Sequence, residues 1–179
     1  MIKIGEKTIF IKQGDITKEE TDAIVNPANG FMIHKGGAAL TIATRAGDLL
    51  QEHSRKIIEK SGQIPSGKGI ITLGYNLPCK FVIHVVGPKM GEGQEDEKLM
   101  KSVNTALNLA DMYNLKSISM PAISSGIFGY PKDKCAQVLL ETTIQYLKDN
   151  HTSIERVIMC NYDKKTYNVF LQKERAILI

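Results

Sequence analysis

The chain has 179 residues, 42% of them hydrophobic and 23% charged, and a net charge of +4. This length suits one domain covering residues 1–179, which would bury roughly 70% of the surface of the unfolded chain. The lysines are spread along the sequence instead of forming a stripe, which disfavours nucleic-acid binding by charge alone. The three cysteines, Cys79, Cys135 and Cys160, form no CxxC pair and argue against a disulfide framework or a Cys-rich zinc site.

The N-terminal stretch MIKIGEKTIFIKQGD has charged residues scattered among its apolar ones. It therefore resembles neither a signal peptide nor a membrane-spanning helix. We expect a cytoplasmic protein without membrane association. The sequence marks no interface patch, so a monomer is the default expectation.

The chain begins with a predicted strand and a polar turn. Thr8–Lys12 alternates apolar and polar residues, the pattern of a half-buried strand, and Gly14 ends it. Thr17 with Glu20 fits a capping box for a short helical turn. Asp15 has two open interpretations: an acceptor that caps the turn, or an acceptor for an exocyclic amine such as that of adenine.

The segment Ala23–Gly47 carries the densest pattern in the first third of the chain. It predicts a strand (Ala23–Asn26), a polar loop (Asn26–Gly30), a glycine pair (Gly36–Gly37) and a helix from about Ala38 toward Lys60, bent or broken near Gly47. Free N–H groups at a helix N-terminus favour an anion such as phosphate. The alternative is that Asn, Pro and Gly here merely turn the chain from strand to helix.

The rest of the chain continues the alternation of strands and helices. The predicted strands are Ile70–Leu73, Phe81–Val86, Lys116–Met120 and Glu155–Cys160, and the predicted helices run from about Gln94 to Tyr113, from Pro131 to about Leu147, and through the C-terminal residues. In the first of these helices an apolar stripe recurs at helical spacing: Leu99, Val103, Ala106, Leu107 and Ala110. This alternation predicts an α/β fold, a three-layer α/β/α sandwich with a largely parallel sheet.

Unusual polar and glycine residues follow four of the predicted strands. They are Asp15, Asn26–Gly37, Ser124–Gly129 and Asn161–Asp163. Ligands of such sheets bind beyond the carboxyl ends of the strands. The coincidence favours a binding site at that edge over four unrelated turns.

Four motifs together resemble the macrodomain family of ADP-ribose-binding modules: GDIT, AIVNPAN with a following GG, HVVGP, and PAISSGIFGYP. They occur in the family's order and span nearly the whole chain. The resemblance implies a mixed, largely parallel sheet between helical layers. It also implies ADP-ribose or an ADP-ribosylated protein as the partner, with no metal and no cofactor.

The resemblance also implies roles at the adenine and phosphate end. Asp15 would hold the adenine amine, the Ile16 N–H would lie near the ring, and Tyr162 would stack on it. Two backbone loops would enclose the diphosphate, one formed by Ser124, Ser125, Gly126, Ile127 and Phe128, the other by Gly36, Gly37 and Ala38. Glycines allow this close approach of the backbone, and N–H groups satisfy phosphate oxygens without a lysine.

At the other end, the resemblance implies that Asn29 hydrogen-bonds the distal ribose and that Phe128 packs against the sugar. His34 would contact the same ribose, directly or by orienting loop residues, and we take Asn29 and His34 as the catalytic candidates. His84 lies in an apolar strand and is expected to be a core histidine.

Two positions depart from one branch of ADP-ribosyl hydrolases in the family. That branch has an Asp two residues after the glycine pair, where this chain has Ala39, and a third glycine where it has Lys35. Similar members without the Asp still remove ADP-ribose from acidic side chains. Three hypotheses therefore stand: a hydrolase of ADP-ribose esters or O-acetyl-ADP-ribose that uses a positioned water, a non-catalytic reader of ADP-ribosylated proteins, and, less favoured, a nucleic-acid-binding module.

Overall fold

Strands and helices alternate through almost the whole chain in the computed structural model, which describes all residues from 1 to 179. The strands are β1 (Ile2–Ile4), β2 (Lys7–Gln13), β3 (Ala23–Ala28), β4 (Gly69–Leu73), β5 (Phe81–Val86), β6 (Ser117–Met120) and β7 (Arg156–Asn161). The helices are α1 (Gly37–Ala46), α2 (Asp48–Ser61), α3 (Glu95–Met112), α4 (Lys132–Asp149) and α5 (Lys164–Leu178), with a 3-10 turn at Ile16–Lys18.

The strands form one seven-stranded sheet in the order β1-β2-β7-β6-β3-β5-β4. The five inner strands are parallel to one another. The two edge strands, β1 and β4, pair antiparallel with β2 and β5. The predicted mixed, largely parallel sheet is confirmed, although β1 was not anticipated because three residues are too few for an alternating pattern.

Helices cover both faces of the sheet, as the predicted three-layer sandwich requires. Ile24 and Val82 point to the face covered by α1 and α2, where they pack with Ile42 and Leu50. Their neighbours in the strands point to the other face, which is covered by α3, α4 and α5. The predicted apolar stripe of α3 lies wholly in this second, larger core. None of the helices has both the length and the apolar composition to cross a lipid bilayer.

Strand β3 is longer than the sequence suggested. It continues through Pro27 to Ala28, so Asn26 is a strand residue paired with His84 and not part of the following loop. Pairing between β3 and β6 covers only Ala23 and Ile24. Because the later part of β3 is open on that side, Pro27 is tolerated without an N–H to donate.

Of two predictions about helix boundaries, one is confirmed and one is wrong. The expected break near Gly47 is confirmed: Gly47 separates α1 from α2 with φ at +95°, a conformation that favours glycine. The expected Thr17–Glu20 capping box is wrong. Asp15 caps the turn instead, because its carboxylate accepts from the Thr17 N–H and the turn ends after three residues.

Candidate functional site

A cleft of about 600 Å³ opens at the carboxyl ends of the parallel strands. Its lining comes from the segments that follow β2, β6 and β7, from one side of α1, and from the first turns of α4 and α5. This is the arrangement typical of ligand sites in parallel sheets. The lining residues are Gly14, Asp15, Ile16, Gly37, Ala38, Thr41, Arg45, Pro121, Ala122, Ser125, Gly126, Lys132, Cys160, Asn161, Tyr162, Asp163 and Thr166.

Asp15 marks one end of the cleft and is held in place by three donors. Its Oδ1 accepts from the backbone N and the hydroxyl of Thr17, at 2.9 and 2.6 Å. Its Oδ2 accepts from Arg45 at 2.7 Å. Burial acts to raise the pKa of Asp15, but the Thr17 hydrogen bonds and the charge of Arg45 outweigh it and lower the pKa overall. The carboxylate is therefore ionised and keeps acceptor capacity on Oδ2.

Beside Asp15, two further groups face the cleft without partners. The Ile16 N–H donates no hydrogen bond within the protein. Tyr162 is 81% exposed, so its ring is a free aromatic surface and not a core side chain. Just after it, Asp163 caps α5 by accepting from the Thr166 N at 2.8 Å, which fixes the segment that carries Tyr162.

The segment Asn29–Ala38, here called the first wall, reaches the cleft at Gly37 and Ala38, which belong to its lining. It ends at the N-terminus of α1, where Gly36 is the N-cap and no side chain caps the helix. The N–H groups of Gly36, Gly37 and Ala38 have no acceptor within the protein. Unpaired N–H groups at a helix N-terminus attract an anion.

The opposite wall, the second wall, is formed by Pro121–Gly129. The N–H groups of Gly126, Ile127 and Phe128 also donate no hydrogen bond within the protein. Ser124 adopts φ at +66°, an uncommon conformation for a residue other than glycine, and its carbonyl accepts from Tyr130 N at 2.9 Å. The backbone thereby turns sharply and leaves three successive donors free.

The two walls touch across the cleft. A Cβ added at Gly36 would lie 3.2 Å from Cδ1 of Ile127, and one at Gly37 would lie 3.5 Å from the same atom. The Ile127 side chain is otherwise exposed and bridges the two sets of free N–H groups. This contact leaves little room for a larger residue at Gly36.

Asn29 and Phe128 lie beside the cleft lining. The Asn29 amide oxygen accepts from Phe31 N and Ile33 N at 3.1 and 3.2 Å, and its Nδ2 donates to the Ile33 carbonyl at 2.6 Å. One amide hydrogen of Asn29 remains free. The Phe128 ring lies under the Lys89 ammonium, 5.3 Å from the ring centroid.

His34 is not placed where it was expected. Its imidazole is buried and turned inward: Nε2 lies 3.1 Å from Ser54 Oγ, and Nδ1 lies 3.3 Å from Asn26 Nδ2. The expectation named two modes, direct contact with the distal ribose and orientation of loop residues. The ring packs between β3 and α2 and does not face the cleft, so only the second mode remains as a prediction. Only its backbone belongs to the first wall, where His34 N donates to Gln51 at 2.9 Å.

His84 is a core histidine, as expected, and it shares a donor with His34. The Asn26 amide nitrogen lies 2.9 Å from His84 Nδ1 as well as near His34 Nδ1. The Ser54 and Thr72 hydroxyls donate to main-chain carbonyls, so they accept from the two Nε2–H groups. Both rings are then neutral with Nδ1 as acceptor, and they stack at 5.0 Å between centroids.

Burial in this network depresses both histidine pKa values. The pKa of His34 falls to about 4, and that of His84 falls well below its ordinary value. At neutral pH neither ring carries a charge, and neither is exposed to the cleft. The network is therefore a structural support of the first wall.

Sequence reasoning missed several lining residues. Arg45 and Lys132 lie in helices, where basic residues are common, and nothing local signals their approach to Asp15 and to the Ser125 carbonyl. Asn161 belonged to a noted strand exit but received no role, and its amide oxygen is buried without a partner. The Arg45–Asp15 contact joins residues that lie 30 positions apart, which a local pattern cannot show.

The cleft contains no activated nucleophile. Cys160 lines it, but burial raises the pKa of this thiol to about 12, so it is protonated at neutral pH. Cys135 is fully buried, and burial likewise raises its pKa to about 12. Ala39, on α1, supplies no carboxylate. The cleft therefore offers free backbone N–H donors and no thiolate nucleophile.

The Macro domain family model matches residues 25–139. A protein of Thermotoga maritima is 43% identical over 171 residues, covering 93% of this chain, which spans only 28% of that protein's length. A Pantoea vagans protein named O-acetyl-ADP-ribose deacetylase 1 is 34% identical, with 93% of this chain and 98% of that protein covered.

Solved structures agree with these sequence matches. An Oceanobacillus iheyensis macrodomain with ADP superposes with a TM-score of 0.95 at 34% identity, covering 99% of this chain and 95% of the other. A Trypanosoma brucei macrodomain in complex with ADP-ribose gives a TM-score of 0.85 at 28% identity, covering 93% of this chain and 68% of the other.

Proposed function

The chain belongs to the Macro domain family, and we propose that its cleft binds ADP-ribose. The observation that supports this most directly is the pair of facing backbone segments, Gly36–Ala38 and Gly126–Phe128, whose N–H groups have no acceptor in the protein. A diphosphate between the two walls accepts from both and needs no cation, since oriented backbone donors form an anion site by themselves.

In this proposal the ligand runs from Asp15 at the adenine end of the cleft toward Asn29. The ionised Asp15 accepts from the adenine amine, while the exposed ring of Tyr162 offers a stacking surface, which contributes about 1–3 kcal/mol per base in comparable sites. The distal ribose then lies toward Asn29 and Phe128. Asn29 donates its remaining amide hydrogen to a ribose hydroxyl, because its other polar positions are occupied.

We further propose that the protein hydrolyses ADP-ribose esterified to Glu or Asp side chains. Water held between the diphosphate and the distal ribose attacks the anomeric carbon, the C–O bond to the acyl oxygen breaks, and the side chain leaves as a carboxylate. The attacking water becomes the anomeric hydroxyl and releases its second proton to solvent. A carboxylate is a stable leaving group with a pKa near 4, so positioning of the water supplies most of the acceleration. O-acetyl-ADP-ribose is the small-molecule substrate of the same class, and the name of the Pantoea relative supports including it.

A non-catalytic reader is the second candidate, and a specific observation favours it. Ala39 stands where one hydrolase branch has an Asp, and His34 is buried away from the cleft, so no side-chain base faces the distal ribose. A peptide ADP-ribosylated on Glu separates the two candidates. Loss of the label with time supports the hydrolase, whereas tight binding with the label retained supports the reader.

Calorimetry with ADP-ribose tests the binding proposal itself. We expect saturable binding with one site, and absence of heat and of thermal stabilisation at millimolar ligand would overturn it. Repeating the titration at two salt concentrations tests nucleic-acid-like binding. Several phosphate contacts would make the affinity fall steeply with salt, whereas a single enclosed diphosphate responds much less.

Asn29→Ala separates binding from turnover. If Asn29 orients the ribose for attack, this variant lowers kcat more than it lowers the affinity for ADP-ribose. Asp15→Ala is the matched comparison at the other end of the cleft. It should weaken binding by roughly 1–3 kcal/mol, the value of a hydrogen bond to a charged group, and leave kcat at saturation nearly unchanged.

A further inference from the structure

Five exposed apolar side chains lie on the segments near the point where the two walls of the cleft touch. We call these five side chains the mouth patch. They are Phe31, Ile33, Leu40, Met90 and Ile127. Exposed apolar side chains scattered singly are ordinary on a protein surface, but a contiguous group marks an interaction site. The mouth patch therefore needs an explanation that single exposed residues do not.

Chain connectivity and contacts between the segments place these side chains in one region of the surface. Ile33 and Leu40 flank the glycine pair in sequence, and the Ile127 Cδ1 atom lies 3.2 Å from a Cβ added at Gly36. Met90 joins through its backbone, because its N–H donates to the Phe128 carbonyl at 2.9 Å. The mouth patch thus runs from the first wall across the cleft to the second.

Two lysines within the same segments lack carboxylate partners. Lys35 and Lys89 take part in no salt bridge. The nearby Glu92 is committed to Lys98, at 2.9 Å, and to the Lys89 backbone N. The mouth patch is therefore an apolar surface beside two lysines that form no salt bridge.

We propose that the mouth patch docks the polypeptide segment that carries ADP-ribose, and that it prefers segments with acidic and apolar side chains next to the modified residue. This inference rests on the proposed function, in which the distal ribose lies at the Asn29 end of the cleft and the modified side chain leaves there. Charge complementarity with Lys35 and Lys89 selects the acidic neighbours, and burial of Phe31 and Ile33 supplies the apolar contacts.

The test compares free ADP-ribose with two peptides that carry ADP-ribose through a stable amide linkage. In one peptide Glu and Leu flank the modified residue, and in the other Lys and Ser do. We expect the acidic peptide to bind more tightly than free ADP-ribose and the basic peptide not to do so. Phe31→Ser should weaken the acidic peptide by a factor about fivefold to tenfold larger than any change in free ADP-ribose affinity, as for one interface anchor.

Charge reversal gives the sharper test. Lys35→Glu should weaken the acidic peptide by a larger factor than it weakens free ADP-ribose, and should strengthen the basic peptide relative to free ADP-ribose. The ratio of peptide affinity to ADP-ribose affinity is the readout, because it cancels any effect of the new charge on the diphosphate. Lys148→Glu and Met112→Ser are the matched controls, since both residues are exposed and lie at the ends of α4 and α3 away from the cleft. Both controls should bind all three ligands like the parent protein.

Other results overturn the proposal in distinguishable ways. If free ADP-ribose does not bind, the proposed function fails. If it binds but neither peptide binds better and the variants change nothing, only the docking surface fails. A concentration-dependent dimer in sedimentation equilibrium that Phe31→Ser dissolves would assign the mouth patch to a second copy of the chain.

Discussion

Both walls of the cleft present free backbone N–H groups, but different kinds of hydrogen bond hold the two walls in place. The first wall, Asn29–Ala38, is tied by side chains: the Asn29 amide spans to Ile33, Gln51 bonds Met32 and His34, and His34 joins Asn26. The second wall, Pro121–Gly129, is held mainly through its backbone. Ser125 N, Gly129 N and Tyr130 N are each bonded within the turn, and the Lys132 and Cys135 side chains donate to the Ser125 and Ile123 carbonyls.

This difference decides what each wall is sensitive to. Side-chain hydrogen bonds buried away from water cost free energy when one partner is lost, so the first wall depends on residue identity and on pH. Backbone turns packed against a neighbouring chain segment depend on space. The second wall should therefore respond chiefly to added volume, and the following changes test that contrast.

Asn26→Leu should have the largest effect and should break the first wall. It removes the amide that donates to both His34 and His84 and leaves two buried ring nitrogens without partners. At about 1–3 kcal/mol for each orphaned group, the free energy of unfolding should fall by about 4 kcal/mol. Urea denaturation measures this, and a loss below about 1 kcal/mol would contradict the assigned network.

Acidification should weaken the same wall without any substitution. The folded-state pKa of His34 lies at about 4, below the ordinary 6.5, so the unfolded state binds the proton first as the pH falls. Stability is complete above pH 6.5 and should drop by about 2 kcal/mol at pH 5 from His34 alone, with His84 adding in the same direction. Carboxylates such as Asp111 have pKa values below 3.8 and do not contribute in this window.

Urea denaturation at pH 7 and pH 5 checks this dependence. His34→Gln should reduce the pH dependence, because the amide cannot take up the proton. His151→Ala, which removes an exposed histidine, is the matched control and should leave the dependence as in the parent protein. Equal pH dependence in all three proteins would show that the buried pair is not responsible.

The sequence predicted the fold well because its signals are local. The α3 stripe and the stop at Gly47 follow from periodicity and from the φ preference of glycine, and both match the structure. The loops after the strands were predicted to meet at one edge because parallel strands end together. Their side-chain and backbone roles in ligand binding stay predictions.

The sequence did not predict what long-range packing decides. His34 is adjacent to the glycine pair in the chain, yet it turns inward because Ser54, twenty positions later, offers a partner within the core. Asn26 seemed to begin a loop until pairing with β5 extended the strand past Pro27. The approach of Arg45 to Asp15 depends likewise on where α1 packs.

Gly87→Ala should break the second wall alone. A Cβ at Gly87 would lie 2.1 Å from Ser124 Oγ and 2.8 Å from Ile123 Cγ2, so the turn must shift. We expect ADP-ribose affinity to fall about tenfold, or about 1.4 kcal/mol, while the pH dependence of stability is unchanged. Calorimetry measures the ADP-ribose affinity, and thermal unfolding at several pH values measures the pH dependence of stability. An unchanged affinity would show that the second wall accommodates the added methyl group without losing its N–H donors.

Arg45→Gln should have the smallest effect, because it leaves both walls intact and changes only the Asp15 end. The Arg45 side chain is 47% exposed, and its pair with Asp15 is expected to contribute less than about 1 kcal/mol. Asp15 keeps both Thr17 hydrogen bonds, so the carboxylate keeps its orientation at the end of the cleft where we propose that adenine binds. ADP-ribose affinity should therefore fall less than about fivefold at low salt and less still at high salt, since the pair is screened.

The control is Arg45→Lys, which keeps the charge. Its ADP-ribose affinity should lie between that of Arg45→Gln and that of the parent protein. A loss beyond tenfold, insensitive to salt, would mean that the guanidinium itself contacts the ligand and that the adenine end depends on more than Asp15 and Tyr162.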